Sequence, residues 1–245
     1  MKKLLIALVA LVPTLGFAAG GQNVHLEKAN IDLNDKESLV RGLDLFQHYC
    51  SGCHSTQYQR YERVANDLGV SIDEMRTKFV FTGAKVGELM ENAIPEKEAA
   101  KWFGAAPPDL TLAARVRGED WVYSYLKGFY KDPSRPFGVN NTVFPSVGMP
   151  HVLEGLQGIA TPVIETEVVD GKEVTKVKGV NPAVGGSMNA EEYDQAARDI
   201  TGFLVYSAEP IKLERQALGV WVLAFLFIFF VVAYFLKKEY WKDVH

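Results

Sequence analysis

Cys50-Ser51-Gly52-Cys53-His54 is the stretch on which the reading of this 245-residue chain turns. Two cysteines three residues apart on a turn can reach both vinyl groups of one porphyrin and form thioethers. The next residue then brings an imidazole beneath the iron. Cys-x-x-Cys-His is accordingly the attachment signature of a c-type haem. The chain has only these two cysteines, so neither is left for a disulfide. A redox dithiol would sit near a βαβ pattern, which the sequence lacks. A structural zinc site needs four ligands, and no second cysteine pair completes one.

Immediately upstream, Leu39, Leu43 and Phe46 recur at helical spacing and make one apolar face. They predict a helix from about Asp35 to Tyr49, capped by Asn34 with Glu37 three residues on, that delivers the motif at its C-terminal end. Gly42 lies on the same face. Glycine costs helix stability, so its presence there points to close approach of another helix.

The two ends of the chain set its compartment. Lys2 and Lys3 precede an apolar run, Leu4 to Val12, too short to span a bilayer, and Gly16 and Ala18 supply small residues at a cleavage site. This predicts a secretory leader over 1–18 and a mature chain starting near Ala19. At the other end Ala217 to Leu236 is uncharged and almost wholly apolar; 20 residues make a helix of about 30 Å, the thickness of the hydrocarbon core. Trp221, Tyr234, Tyr240 and Trp241 lie toward or beyond its ends, and Lys237, Lys238 and Lys242 follow it. The expected division is therefore 1–18 leader, 19–210 haem domain outside the cytoplasm, 211–236 membrane anchor and 237–245 cytoplasmic tail. Removing Lys2 and Lys3 takes the formal net charge from −4 to −6. That acidic balance argues against nucleic acid and favours a basic partner.

Between these ends the chain reads as mainly helical. Tyr58 to Lys78 is mostly helical surface, and Val86 to Ala93 is a short helix candidate. Pro107-Pro108 fixes an extended segment. Asp109 or Thr111 then caps a helix containing Leu112, Arg115 and Arg117, and Glu119 to Tyr130 forms another, lined with Trp121, Tyr123, Tyr125, Phe129 and Tyr130. Such an aromatic stripe suits both a core and the apolar wall a porphyrin needs. Phe144 to His151 is a loop whose backbone is restricted by Pro145 and Pro150 and freed at Gly148. Val163 to Val177 reads as a surface β-hairpin turning at Asp170-Gly171. Asn189, with Glu192 at N3, caps a last helix whose face is Tyr193, Ala196, Ala197, Ile200 and Leu204, ended by Glu209-Pro210.

His54 supplies one axial ligand, and the second decides the chemistry: an open position admits small molecules, whereas a methionine thioether closes the iron as an electron carrier of raised potential. Met75 and Met90 fall in helix-like runs. Met149 sits in the proline-restricted loop, with Met188 and His151 as alternatives. His48 lies on the motif helix itself, and His25 reads as an exposed residue. Arg115 and Arg117 are candidates to pair with haem propionates, since guanidinium matches carboxylate bidentately.

Taken together, Cys50 to His54, Ala106-Pro107-Pro108-Asp109-Leu110, Arg115-Val116-Arg117 before Gly118-Glu119-Asp120, Gly148-Met149-Pro150 and Ala208-Glu209-Pro210 before the anchor resemble the cytochrome c1 family over nearly the whole mature chain. The resemblance implies a class I cytochrome c-like haem domain with loop and β-hairpin insertions and one C-terminal transmembrane helix. It implies one covalent haem c bound by Cys50 and Cys53, His54 and Met149 as axial ligands, Pro108 against the haem and Arg117 near a propionate. It further implies a one-electron carrier in a quinol–cytochrome c reductase of the bacterial inner membrane. The partners would be cytochrome b, a Rieske iron–sulfur protein and a soluble cytochrome c. An anchored cytochrome subunit of a terminal oxidase or nitric oxide reductase, or a haem enzyme or gas sensor with an open iron, are the alternatives. Some relatives carry a disulfide that steadies the ligand-bearing region, which this chain cannot form, and Trp121 stands where relatives often have tyrosine. Glu165, Glu167, Asp170 and Glu173 of the hairpin are candidates to steer a basic acceptor.

Overall fold

The computed structural model describes residues 25–169 and 172–244. The expected leader and the Asp170-Gly171 turn lie outside the described residues. Helix α1 (Lys36–Tyr49) buries Leu39, Leu43 and Phe46, as their spacing requires. Asp35, not Asn34, caps it: the Asp35 carboxylate accepts the Ser38 amide at 3.0 Å, whereas Asn34 donates twice to Asp32. An anionic cap satisfies a free N–H and also meets the positive end of the helix dipole.

After the Cys-His turn comes strand β1 (Thr56–Arg60), followed by α2 (Tyr61–Leu68) and α3 (Ile72–Glu74), which runs on as a wide turn over Met75–Phe79. The helical reading of this region therefore holds only from Tyr61. The helix expected over 86–93 is absent too; β2 (Leu89–Met90) pairs antiparallel with β1 and drops Met90 into the core. A tertiary backbone partner overrides a weak local preference here.

Helices α4 (Glu96–Phe103), α5 (Ala113–Arg117) and α6 (Glu119–Lys127) follow. Neither Asp109 nor Thr111 caps α5. Asp109 instead accepts the Thr111 amide at 2.9 Å in a tight turn, and Leu112 occupies the cap position. Gly118, at φ +92°, makes the break between α5 and α6. The aromatic stripe leaves the helix early: Phe129 and Tyr130 belong to β3 (Phe129–Lys131), which pairs with β4 (Val139–Asn141). Beyond α7 (Glu154–Gln157), β5 (Gly158–Ile159) pairs with β8 (Val184–Gly185), and the long hairpin of β6 (Pro162–Val169) and β7 (Lys172–Val180) lies between them.

Helix α8 (Ala190–Ala208) starts with the capping box expected of Asn189 and Glu192. It crosses α1 at contact distance. A Cβ on Gly42 would stand 2.0 Å from the Asp199 carbonyl oxygen, and one on Gly202 would stand 3.3 Å from Leu39. The Asp199 carboxylate is buried at this crossing and is held by Arg41, Ser38 and Gln195. Residues of α1, α2, α6 and α8 form the main core. Helix α9 (Lys212–Tyr240) is 29 residues long, about 44 Å, and none of it is buried. It is long and apolar enough to cross a membrane.

Candidate haem site

The motif turn is a continuation of α1. The amides of Cys50 and Ser51 both donate to the Phe46 carbonyl, and those of Cys53 and His54 to Cys50. Both cysteines are free thiols, Cys50 buried and Cys53 half-buried. Burial pushes the Cys50 thiol up to about 12. It is therefore protonated at neutral pH, unlike the low-pKa thiolate of a redox dithiol. Among the described residues no three His, Cys, Asp or Glu side chains gather as a metal cage.

The His54 ring is buried, and its Nδ1 lies 2.7 Å from the Pro108 carbonyl oxygen. A carbonyl only accepts, so Nδ1 carries the proton and Nε2 keeps its lone pair. Burial lowers the His54 pKa, against smaller raising effects from Pro108 and Asp109, and favours the neutral ring. A neutral imidazole with its second nitrogen tied to a carbonyl is the state a metal-ligating histidine needs. The segment supplying that carbonyl is clamped. Asp109 accepts the Gln57 and Thr111 amides, and Leu110 donates to the Ser55 carbonyl. Asn92 reaches in from beyond β2, donating to the Cys53 carbonyl and the Ser55 hydroxyl.

Met149 stands in a second cluster, with Phe129, Val139, Val147 and Tyr125. The Tyr125 hydroxyl lies 3.3 Å from its sulfur. Met75 and Met90 are buried in the main core, and Met188 packs against it. The loop leading to Met149 is pinned by polar side chains. Buried Asn141 accepts the Val143 and Phe144 amides and donates to the Tyr125 carbonyl. Asn140 accepts the Ser146 amide, and Arg135 donates to the Ser146 carbonyl. These bonds tie down the loop that carries Met149. His151 is buried and stacked on Phe129 at 4.7 Å, and both its ring nitrogens are without a hydrogen-bond partner among the described residues. Burial holds its pKa down at about 4.

The two arginines part company. Arg115 pairs with Glu209 at 3.0 Å, and Glu209 also holds Arg215 at the start of α9. Arg117 makes no ion pair among the described residues and lies over the Trp121 ring at 5.1 Å. Trp121 stacks on Tyr125, so Arg117, Trp121, Tyr125 and Met149 form one line of contacts. His48 faces outward beside Phe81 and bonds the Asp44 carbonyl, and His25 is exposed. In the hairpin Glu165 is paired with Lys178, which weakens the steering expectation. The side chains of Glu167, Asp170 and Glu173 lie outside the described residues.

The donor set fits a covalent haem. It offers two thiols on one turn, an imidazole with its lone pair free, and a thioether in a loop fixed from three sides. Tyr125, Asn92 and Asn141 escaped the sequence reading in these roles. Only the position of Tyr125 in the aromatic stripe hinted at one of them.

Comparison with known proteins gives a consistent picture. A family model described as Cytochrome C1 family matches residues 27–159 and 185–244, leaving out the interval that holds the hairpin. A cytochrome c1 of Allochromatium vinosum is 51% identical over 245 residues, covering 100% of both chains. A protein of Nitrosomonas europaea named ammonia monooxygenase gamma subunit is 44% identical over 245 residues, covering 100% of this chain and 99% of its own. A cytochrome c1 of Blastochloris viridis is 25% identical over 264 positions, covering 93% and 89%.

Proposed function

This chain belongs to the cytochrome C1 family, whose members carry one covalent haem c and serve as electron-transfer subunits of the bc1 complex, and on that premise we propose how it works. Cys50 and Cys53 would hold the porphyrin through thioethers. His54 and Met149 would ligate the iron, Pro108 would lie against the haem, and Arg117 would face a propionate. The haem supplies reversible one-electron chemistry; the protein supplies ligation, a dry setting and docking surfaces. His54 is oriented by the Pro108 carbonyl, Asp109 and Asn92 fix the segments around it, and Met149 would close the iron against substrates. The observation that carries this reading is the buried His54 ring, tied at Nδ1 and free at Nε2.

The electron comes from a Rieske iron–sulfur protein and leaves to a soluble cytochrome c. The haem domain lies in the periplasm of a bacterium, α9 crosses the inner membrane beside cytochrome b, and the tail from Lys237 is cytoplasmic. The chain is no enzyme by itself. Purification from membranes in mild detergent tests the assembly: cytochrome b and a Rieske protein should accompany the chain. An oxidase core or an ammonia monooxygenase in their place would overturn it. Met149→Ala tests the ligation and should abolish the low-spin methionine-ligated spectrum; an unchanged spectrum would remove Met149 from the iron.

A further inference from the structure

Tyr125 is absorbed by none of the roles above, yet its hydroxyl has one hydrogen-bond partner among the described residues, the Met149 sulfur at 3.3 Å. A thioether has no proton to give, so the tyrosine is the donor. The ring is fixed on both sides. Trp121 stacks on it at 5.1 Å and 11°, and Phe129 meets it edge-on at 5.2 Å. The backbone is fixed as well, because the Tyr125 carbonyl accepts from the buried Asn141 amide. A side chain held this firmly presents its O–H in one direction.

Thioether sulfur has two lone pairs. A hydrogen bond occupies one and leaves the other to point at a metal. Resting on the reading of Met149 as a ligand, we propose that Tyr125 is a positioning residue whose hydroxyl donates to the Met149 sulfur, orients its remaining lone pair, and biases the iron toward its reduced state. The bias has two sources of the same sign. The O–H dipole turns its positive end toward the sulfur, and donation makes the sulfur a poorer electron donor. Both disfavour Fe(III) relative to Fe(II), and hydrogen bonding to a ligand is an established lever on haem potentials. The effect is larger in a half-buried cluster than in water.

Tyr125→Phe is the clean test, since it keeps the ring between Trp121 and Phe129 and deletes only the oxygen. The measurements are made on the haem-loaded full chain in detergent. Redox titration should show a lower potential, up to about a tenfold change in the oxidised-to-reduced ratio, or about 59 mV for one electron. Added imidazole should displace Met149 from the ferric iron only at higher concentration, up to roughly tenfold, because a sulfur relieved of its hydrogen bond is the better donor to Fe(III); the readout is loss of the methionine–iron(III) charge-transfer band. Either change supports the role; unchanged potential and unchanged imidazole affinity together overturn it. Tyr125→Leu removes the ring as well. If it shifts both readouts while Tyr125→Phe shifts neither, the residue only packs. Failure of the ligand reading looks different: the unaltered protein would then lack the methionine band altogether.

Discussion

Gly42→Ala is the sharpest test of how the haem motif is held. The added Cβ would stand 2.0 Å from the Asp199 carbonyl oxygen, 2.6 Å from its carbon and 3.0 Å from the Phe203 Cβ. Two of these atoms are backbone inside α8, so no side-chain rotation relieves the clash. Restoring ordinary contact at 3.4 Å requires α1 and α8 to part by about 1.4 Å. That separation would loosen the Phe46–Phe203 pair, now 5.3 Å between ring centres, and the Asp199 cluster with Arg41, Ser38 and Gln195. Alanine gains about 1 kcal/mol over glycine in helix propensity. Overpacking costs about 1–3 kcal/mol when side chains can yield, and more when backbone must move. We expect a net loss of about 2 kcal/mol, a drop of about 4–8 °C in Tm for a domain of this size. Thermal melting of the full haem-loaded chain, followed by circular dichroism, measures it. Gly155→Ala is the control: it adds the same methyl in α7 with nothing within 4 Å, and should leave Tm nearly unchanged. A Gly42→Ala protein melting at or above the unaltered one would refute the close crossing of the two helices.

Three further outcomes follow from the geometry. With Arg117 beside a propionate, as proposed, Arg117→Gln should lower the reduction potential by removing a positive charge from the haem's surroundings; Arg115→Gln should not, since Arg115 is spent on Glu209, and redox titration of the two variants separates them. Asn141→Ala leaves the Val143 and Phe144 amides and the Tyr125 carbonyl without their partner, a loss of about 2–3 kcal/mol, and on heating the methionine–iron band should fade before the helical signal does. Burial alone would raise the Asp194 carboxyl, but hydrogen bonds from Lys127, Tyr123 and Arg198 outweigh it and hold the pKa at about 2. Its stabilisation is thus present above about pH 4, the unfolded value, and is lost as pH falls toward 2; Asp194→Asn should flatten the acid limb of a stability–pH curve in that window.

What the chain discloses by itself is what is local or periodic. The Cys50 to His54 signature is five contiguous residues, and the faces of α1 and α8 repeat at helical spacing, so both were legible. Gly42 was legible for a related reason: a glycine on an apolar helix face costs stability unless something needs the space. The strand pairing of Thr56–Arg60 with Leu89–Met90 was not, because a two-residue strand is too short to show a period and its partner lies far away in the chain. The tie between His54 and Pro108 was hidden more deeply. Its acceptor is a backbone carbonyl 54 residues away, and a carbonyl is the one group every residue type shares. Nothing in the sequence marked Asn140 and Asn141, and only their places in β4, paired with Tyr130 and Phe129, make them the fasteners of the Met149 segment. The pattern has a physical cause. Ligand identity is written in side chains, so sequence can name His54 and offer Met149; ligand orientation is written in backbone carbonyls and amides that folding alone brings together. Variants that reset potential without touching a ligand should therefore cluster at Tyr125, Asn141, Asp109 and Asn92, the residues that grip those backbones or the sulfur itself.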